Sequence, residues 1–315
     1  MSSLARPDLR YFREDEVRRL AEPRQAIKAI RAAFARDLQG TLHMPLRTHL
    51  DLDGNLLLLM PCHDRAMRLA GVKTVTVGAQ AGVSATYTLI DGGAGKILAF
   101  MEANYLTDLR TAATSAVVTE LLSRADVKTL GIFGTGRQAF AHFAVIPLVR
   151  SFERYLVCGS GRTDTSEFCE RVKAELGIRL ESVGAKTCIS ESEVICTCTT
   201  SSRPLFDGEW LRPGTHLNLI GAYQPSSREV DSKTIRRARV VVDTYDGCMA
   251  EAGDLLIPIN EQAIDRSHIL ADLHELVAMK KLVRRNADDI TLFKSVGCAL
   301  EDLVVANLVY ERSHA

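Results

Sequence analysis

The chain lacks any apolar run near the roughly 18 residues that a membrane-spanning helix requires. Its opening, Met1-Ser2-Ser3-Leu4-Ala5-Arg6-Pro7, also lacks the apolar core of a secretory signal. A cytoplasmic protein without a membrane partner is expected. Charge of one sign is missing too: lysine plus arginine number 39, and so do aspartate plus glutamate. No overall field favours nucleic acid or anionic lipid, so any anion must be recognised at a local site. The eight cysteines show no paired zinc spacing, and a chain of 315 residues needs no disulfide framework. Cys196-Thr197-Cys198 leaves one residue between its thiols, which are expected to be ordinary buried thiols. His43, His49 and His63 lack the spacing of a metal cluster, so no metal is expected. Internal repeats and low-complexity linkers are absent as well.

What is present suits a globular chain. Apolar residues make up 46% and charged residues 25%. At roughly 100–200 residues per domain, two domains are expected. In the first forty residues Val17, Leu20, Ile27, Ile30 and Phe34 recur at helical spacing, which predicts a two-helix lead-in. From Thr41 to Phe100 the texture changes to short strands at 47–51, 56–60, 71–77 and 85–90, with hairpin-type turns at Asp53-Gly54 and Asp91-Gly92-Gly93. A mostly antiparallel sheet follows. The alanine-rich stretch Ala112 to Ser123 predicts a helix that Thr107 or Asp108 would cap.

Beyond it, strands at 129–133, 154–157, 194–198, 216–220 and 240–243 alternate with helical or loop segments, the pattern of a doubly wound parallel sheet. A last helix, Cys298 to Arg312, is expected to return to the first half. The fold class is therefore α/β: a Rossmann-type doubly wound parallel sheet plus a discontinuous α+β domain. The boundaries fall at 1–117, 118–287 and 288–315.

Gly134-Thr135-Gly136-Arg137-Gln138-Ala139 directly follows the apolar strand 129–133 and opens a helix. In that setting the motif reads as a dinucleotide site: Gly134 permits the tight turn, Gly136 lets the backbone approach a pyrophosphate, and Ala139 keeps helix and strand close. A tight turn without ligand is the plainer reading. The second strand runs into Cys158-Gly159-Ser160-Gly161-Arg162-Thr163, with no acidic residue before Asp164. Arg162 and Thr163 thus point to a 2′-phosphate and to NADPH, with NADH also possible, although Arg162 equally fits a solvated loop. Thr111, Thr199 and Thr200 complete the cofactor-binding candidates.

Five segments, in order, resemble the ornithine cyclodeaminase and mu-crystallin family: Arg110 to Ala116, Gly134 to Ala139, Asn218 to Ala222, Glu251 to Leu255, and Phe293 to Asp302. The resemblance implies a homodimer whose substrate and dimerisation domain is built from both chain ends, with the Rossmann domain between them. It implies hydride exchange at a carbon bearing nitrogen and a carboxylate. Arg47, Lys73 and Arg110 match the family's basic substrate-binding residues, and arginine suits a carboxylate because its planar fork makes two parallel bonds. Lys73 and Arg110 are the catalytic candidates, Lys73 also as a proton source. Taken singly, Arg47 also fits a strand-edge charge, Lys73 a snorkelling residue and Arg110 a solvated helix start. Glu251, Gly253 and Asp254 fit a helix cap and its loop.

One departure is informative. Cyclodeaminases and related alanine dehydrogenases carry an aspartate where this sequence reads Gly221-Ala222-Tyr223-Gln224-Pro225. Deamination needs a titrating group there, and a tyrosine, with an ordinary pKa near 10, is a poor base at neutral pH. Reduction of a preformed cyclic imine demands less. The resemblance and Tyr223 together imply reduction of 1-pyrroline-2-carboxylate or 1-piperideine-2-carboxylate to proline or pipecolate. An ornithine cyclodeaminase or amino-acid dehydrogenase, and a non-catalytic NADPH-binding carrier, are the alternatives.

Overall fold

A computed structural model of the chain describes residues 9–78, 82–160 and 164–314. Its contacts divide into two units, one of Met1–Thr111 with Cys298–Ala315 and one of Ala112–Gly297.

The first unit begins with β1 (Arg10–Phe12), α1 (Glu14–Leu20) and α2 (Pro23–Ala35). Strands β2 (Leu42–His43), β3 (Thr48–Leu52), β4 (Asn55–Asp64), β5 (Leu69–Gly78), β6 (Gly82–Asp91) and β7 (Lys96–Glu102) follow. They form a sheet in the order β1-β7-β6-β5-β4-β2, with β3 also paired to β4. All pairs are antiparallel except β1 with β7. The strand at 10–12 was not expected within a helical lead-in; three residues are too short to show a period. On β4, Leu58, Met60, Cys62 and Asp64 turn inward at alternate positions, as a half-buried strand must. The α2 side chains of Ala26, Ile27, Ile30, Ala33 and Phe34 close the core.

Helix α3 (Asn104–Leu122) carries the chain from the first unit into the second. It starts earlier than the alanine-rich stretch suggested, so Thr107 and Asp108 lie within it and not at its start. The Thr107 hydroxyl donates to Ala103 O at 2.8 Å, one turn back along the chain.

The second unit alternates strand and helix. It comprises β8 (Thr129–Phe133), α4 (Arg137–Val145), β9 (Arg154–Cys158), α5 (Ser166–Leu176), β10 (Glu181–Ser182), α6 (Ala185–Glu191) and β11 (Val194–Thr197). It continues through β12 (His216–Leu219), α7 (Ser232–Arg237), β13 (Ala238–Val242), α8 (Tyr245–Glu251), α9 (Gly253–Asn260), β14 (Ile269–Asp272), α10 (Leu273–Val277) and β15 (Ile290–Lys294). All its strand pairs are parallel, in the order β10-β9-β8-β11-β12-β15-β13-β14. The chain reverses direction across the sheet between β8 and β11, the switch point at which such sheets bind ligands.

The boundaries differ from 117/118 and 287/288. Residues 290–294, assigned from sequence to the returning segment, form β15 between β12 and β13, so the return begins at Cys298. The returning helix is α11 (Ala299–Arg312), which packs on α2 and on β4, β5 and β6. No described helix is long and apolar enough to cross a membrane.

Candidate active site

In the second unit the loop after β8 builds a cradle. Gly134 has φ +110°, and a Cβ there would lie 2.4 Å from Cys198 O, so no side chain fits. At Gly136 a Cβ would meet nothing within 4 Å, which leaves the space above the backbone open. Gly136 also stands at the N-cap of α4 and offers no side-chain hydrogen bond to the helix start. Ala139 is fully buried against the strand. A cavity of about 990 Å³ opens here, lined by Gly134, Thr135, Gly136, Ser160, Thr199 and Thr200 among others. An open glycine at a helix N-terminus and a cavity of this size fit a dinucleotide pyrophosphate.

The sequence candidates divide around this cavity. Thr199 donates its N–H and its hydroxyl to Glu229 Oε1 at 2.8 and 2.7 Å, so its side chain braces the loop. Arg137 is exposed at the start of α4, and Gln138 is half-buried beside it. Thr111 falls in the first unit, where its hydroxyl donates to Thr107 O. Arg162 and Thr163 lie outside the described residues. The acidic residue after them, Asp164, lines the cavity while accepting from Ser166.

Beneath the cavity lies a charged network that sequence reading missed. Glu229 is fully buried, and its Oε2 accepts from Thr197 Oγ1 and from Gly221 N, both at 2.7 Å. Burial raises its pKa, with Asp254 adding to the rise and Lys294 opposing it. Asp254 accepts from Glu229 N at 2.7 Å and pairs with Lys294 Nζ at 2.9 Å. Asp254 therefore braces a buried loop, which corrects its reading as a cap; the interior position of its partners was invisible in the sequence. Asp243 gathers Ser295 Oγ, Val296 N and Gly297 N on one oxygen. Asn218 is buried too and donates to Thr119 Oγ1 at 3.0 Å. His142 donates from Nδ1 to Gln138 O at 2.7 Å and accepts from Ser115 at Nε2; burial pushes its pKa down to about 4.

The first unit brings the basic candidates together. Lys73 on β5 is 1% exposed, with Nζ donating to Asp302 Oδ1 at 2.8 Å. Arg110 is buried on α3 and donates to Glu301 Oε2 at 2.6 Å, while its Nε lies 3.1 Å from the same Asp302 Oδ1. Burial pushes the Lys73 amine down to about 8, helped by the charges of Arg110 and Arg47 and resisted by Asp302. For Arg110, burial works downward but Asp302 and Glu301 outweigh it and raise its pKa. Arg47, just ahead of β3, is half-buried. The expected carboxylate clamp thus already holds two internal carboxylates, both from the first turn of α11. Their motif was visible in the sequence, but their pairing with Lys73 and Arg110 was not. The described residues contain no group of three or more histidine, cysteine, aspartate or glutamate side chains able to hold a metal ion.

The sequence matches the ornithine cyclodeaminase/mu-crystallin family over residues 11–315. The chain belongs to that family. A Delta(1)-pyrroline-2-carboxylate reductase of Bacillus cereus is 33% identical over 279 residues, 85% of this chain and 86% of the relative. The ketimine reductase mu-crystallin of Mus musculus is 31% identical over 293 residues, 90% of each chain. Among solved structures, the Thermococcus litoralis Delta(1)-pyrroline-2-carboxylate reductase in complex with NADH and L-proline superposes with a TM-score of 0.93 at 34% identity. That match covers 97% of this chain and 98% of the other. In this member of the ornithine cyclodeaminase/mu-crystallin family, Tyr223 follows β12 and packs half-buried against the core of the second unit.

Proposed function

We propose that the protein reduces a cyclic ketimine carboxylate, 1-pyrroline-2-carboxylate or 1-piperideine-2-carboxylate, to proline or pipecolate. The observation that carries this reading is the meeting of Lys73 and Arg110 on one oxygen of Asp302, with the charge of Arg47 felt at Lys73. A cluster of fixed cations suits the carboxylate of such a substrate. The reductases among the relatives and the complex with NADH and L-proline support the same substrate class.

Gly134, Thr135, Gly136 and the start of α4 would hold a nicotinamide dinucleotide, which would supply the hydride, and Arg162 would favour NADPH through the adenosine 2′-phosphate. The chain's own residues do the rest. Arg47, the most accessible of the three cations, meets the substrate carboxylate first, and Arg110 orients it. Lys73 delivers one proton to the ring nitrogen, so that C=N becomes CH–NH, and the amine then regains a proton from water. An acid–base aspartate at position 223 is not needed for this, because the imine arrives preformed. The protein acts as a homodimer, consistent with the exposed Leu46, Leu50 and Leu52 around β3.

The test is a substrate panel with NADH and with NADPH. Oxidation of either cofactor is expected with 1-pyrroline-2-carboxylate or its six-membered homologue, with no ammonia released from ornithine. Ammonia release without ketimine reduction would overturn the reading in favour of a cyclodeaminase. Cofactor binding without turnover of any imine would favour a carrier.

A further inference from the structure

The carboxylate of Asp302 is used unevenly. Its Oδ1 serves both Lys73 Nζ at 2.8 Å and Arg110 Nε at 3.1 Å. Its Oδ2 is buried and has no hydrogen-bond partner among the described residues. A carboxylate buried only for stability gains by satisfying both oxygens, since each unsatisfied one carries its desolvation cost. Asp302 instead gathers two cations on one atom.

The surroundings reinforce the asymmetry. Tyr87 stands opposite Lys73 in the β5–β6 register. It is fully buried, and its hydroxyl has no partner among the described residues. That hydroxyl lies over Gly71, where a Cβ would come within 2.2 Å of it. Cys62 on β4 also faces this carboxylate, and burial pushes its thiol up to about 12. Arg110 comes from α3, Glu301 belongs to α11 itself and Cys298 is its N-cap residue; Cys298 donates to Glu301 Oε1 at 3.6 Å. Helices α1 and α2 bury only apolar side chains, and Asp64 at the end of β4 is held by Arg36 at 2.5 Å. Among these groups, Asp302 alone carries a negative charge in direct contact with Lys73.

We propose that Asp302 is a positioning residue for imine reduction, which holds Lys73 as an ammonium ion and fixes its direction by sharing one oxygen between Lys73 and Arg110. The proposal rests on the reading of Lys73 as the proton source. A lysine this deeply buried beside two arginines gives up its proton unless a counter-charge is close. Asp302 supplies that charge from the first turn of α11, where the helix dipole favours a carboxylate. The arrangement keeps a donor charged in a dry site and leaves its proton labile enough to transfer.

The experiment compares full-length wild type with Asp302→Asn, Asp302→Glu and Glu301→Gln. Two readouts are taken: the pH dependence of kcat/KM for 1-pyrroline-2-carboxylate, and the titration of Lys73 by carbon-13 NMR of labelled lysine, assigned by its loss in Lys73→Met. In Asp302→Asn both the alkaline limb and the Lys73 titration are expected to move about one pH unit or more towards acid, the size of effect a close opposite charge exerts. Glu301→Gln, which removes the carboxylate bonded to Arg110, is expected to move both less than Asp302→Asn does. A uniform loss of rate with an unmoved limb and an unmoved titration would overturn the proposal.

Should Asp302→Asn not fold, Asp302→Glu decides. Its longer side chain cannot keep both short contacts on one oxygen, so KM is expected to rise and the limb to move part of the way. A profile identical with wild type would sink the idea. If wild type reduces no ketimine at all, the proposed function has failed, while the NMR titration still reports on the coupling of Asp302 to Lys73.

Discussion

Lys294 Nζ lies 2.9 Å from Asp254 Oδ2, and neither side chain is exposed at all. The lysine also donates to Ala222 O at 2.5 Å, which ties the end of β15 to the loop after β12. Breaking such a pair from one side leaves the other charge buried and uncompensated. Asp254→Asn is therefore expected to cost about 3–5 kcal/mol, read as a lower midpoint in urea denaturation with an unchanged m-value. Replacing both partners together, as Asp254→Leu with Lys294→Met, is expected to cost less than the sum of the single changes. Strict additivity would show that the two charges do not stabilise one another.

Gly136→Val is expected to fold with near-native stability and to lose most dinucleotide affinity. Its φ of −88° suits any residue, and its missing side chain faces open space. Gly134→Ala meets Cys198 O and must adopt φ +110°, so it loses stability instead. Calorimetric titration with NADH and NADPH, beside a thermal melt, separates the two outcomes. Undiminished binding by Gly136→Val would remove this loop from the cofactor site.

Activity and stability respond to pH in opposite directions through Lys73. With its amine pushed down to about 8, loss of the proton above that pH is expected to lower kcat/KM. Stability behaves otherwise. The unfolded chain holds this proton up to the ordinary value of 10.5, so between about 8 and 10.5 it binds more protons than the folded protein. The contribution of Lys73 to stability therefore rises with pH across that window, by at most about 1.4 kcal/mol per unit. Below it, the burial cost is fully present. Measured against Lys73→Met, which does not titrate there, wild-type stability should climb from pH 8 upward; a flat difference would show that the lysine is not perturbed.

Leu50 and Leu52 occupy one face of β3 and are 45% and 44% exposed. If this face meets a second copy, Leu50→Glu is expected to convert the dimer into a monomer by light scattering, at little cost to the fold of each chain. A variant that remains dimeric would place the interface elsewhere.

The parts of the protein that are local in sequence were legible without a structure. Strand β8, the turn Gly134 to Gly136 and helix α4 are consecutive, so period, turn residues and helix start all reported on the same thirty or so positions of a βαβ unit. The alternation of strand and helix from β8 to β13 likewise announced a parallel sheet. Short elements escaped: β1 and β10, of three and two residues, carry no period. Strand β15 was misassigned because a buried strand and the start of a returning segment read alike until its partners β12 and β13 are known.

Tertiary structure alone decided what the charged side chains touch. Lys73 and Asp302 are 229 positions apart, and Arg110 and Glu301 are 191 apart. A lysine, an arginine and two acids at such separations read equally well as solvated charges or as buried partners. Their proximity comes from packing α11 over β4, β5 and β6, a consequence of apolar burial along the whole helix rather than of the charges themselves. The sequence by itself determined which chemical groups the chain carries and the local elements that bear them. The fold decided that Asp302 would stand between Lys73 and Arg110, because only long-range packing can bring those three away from water together.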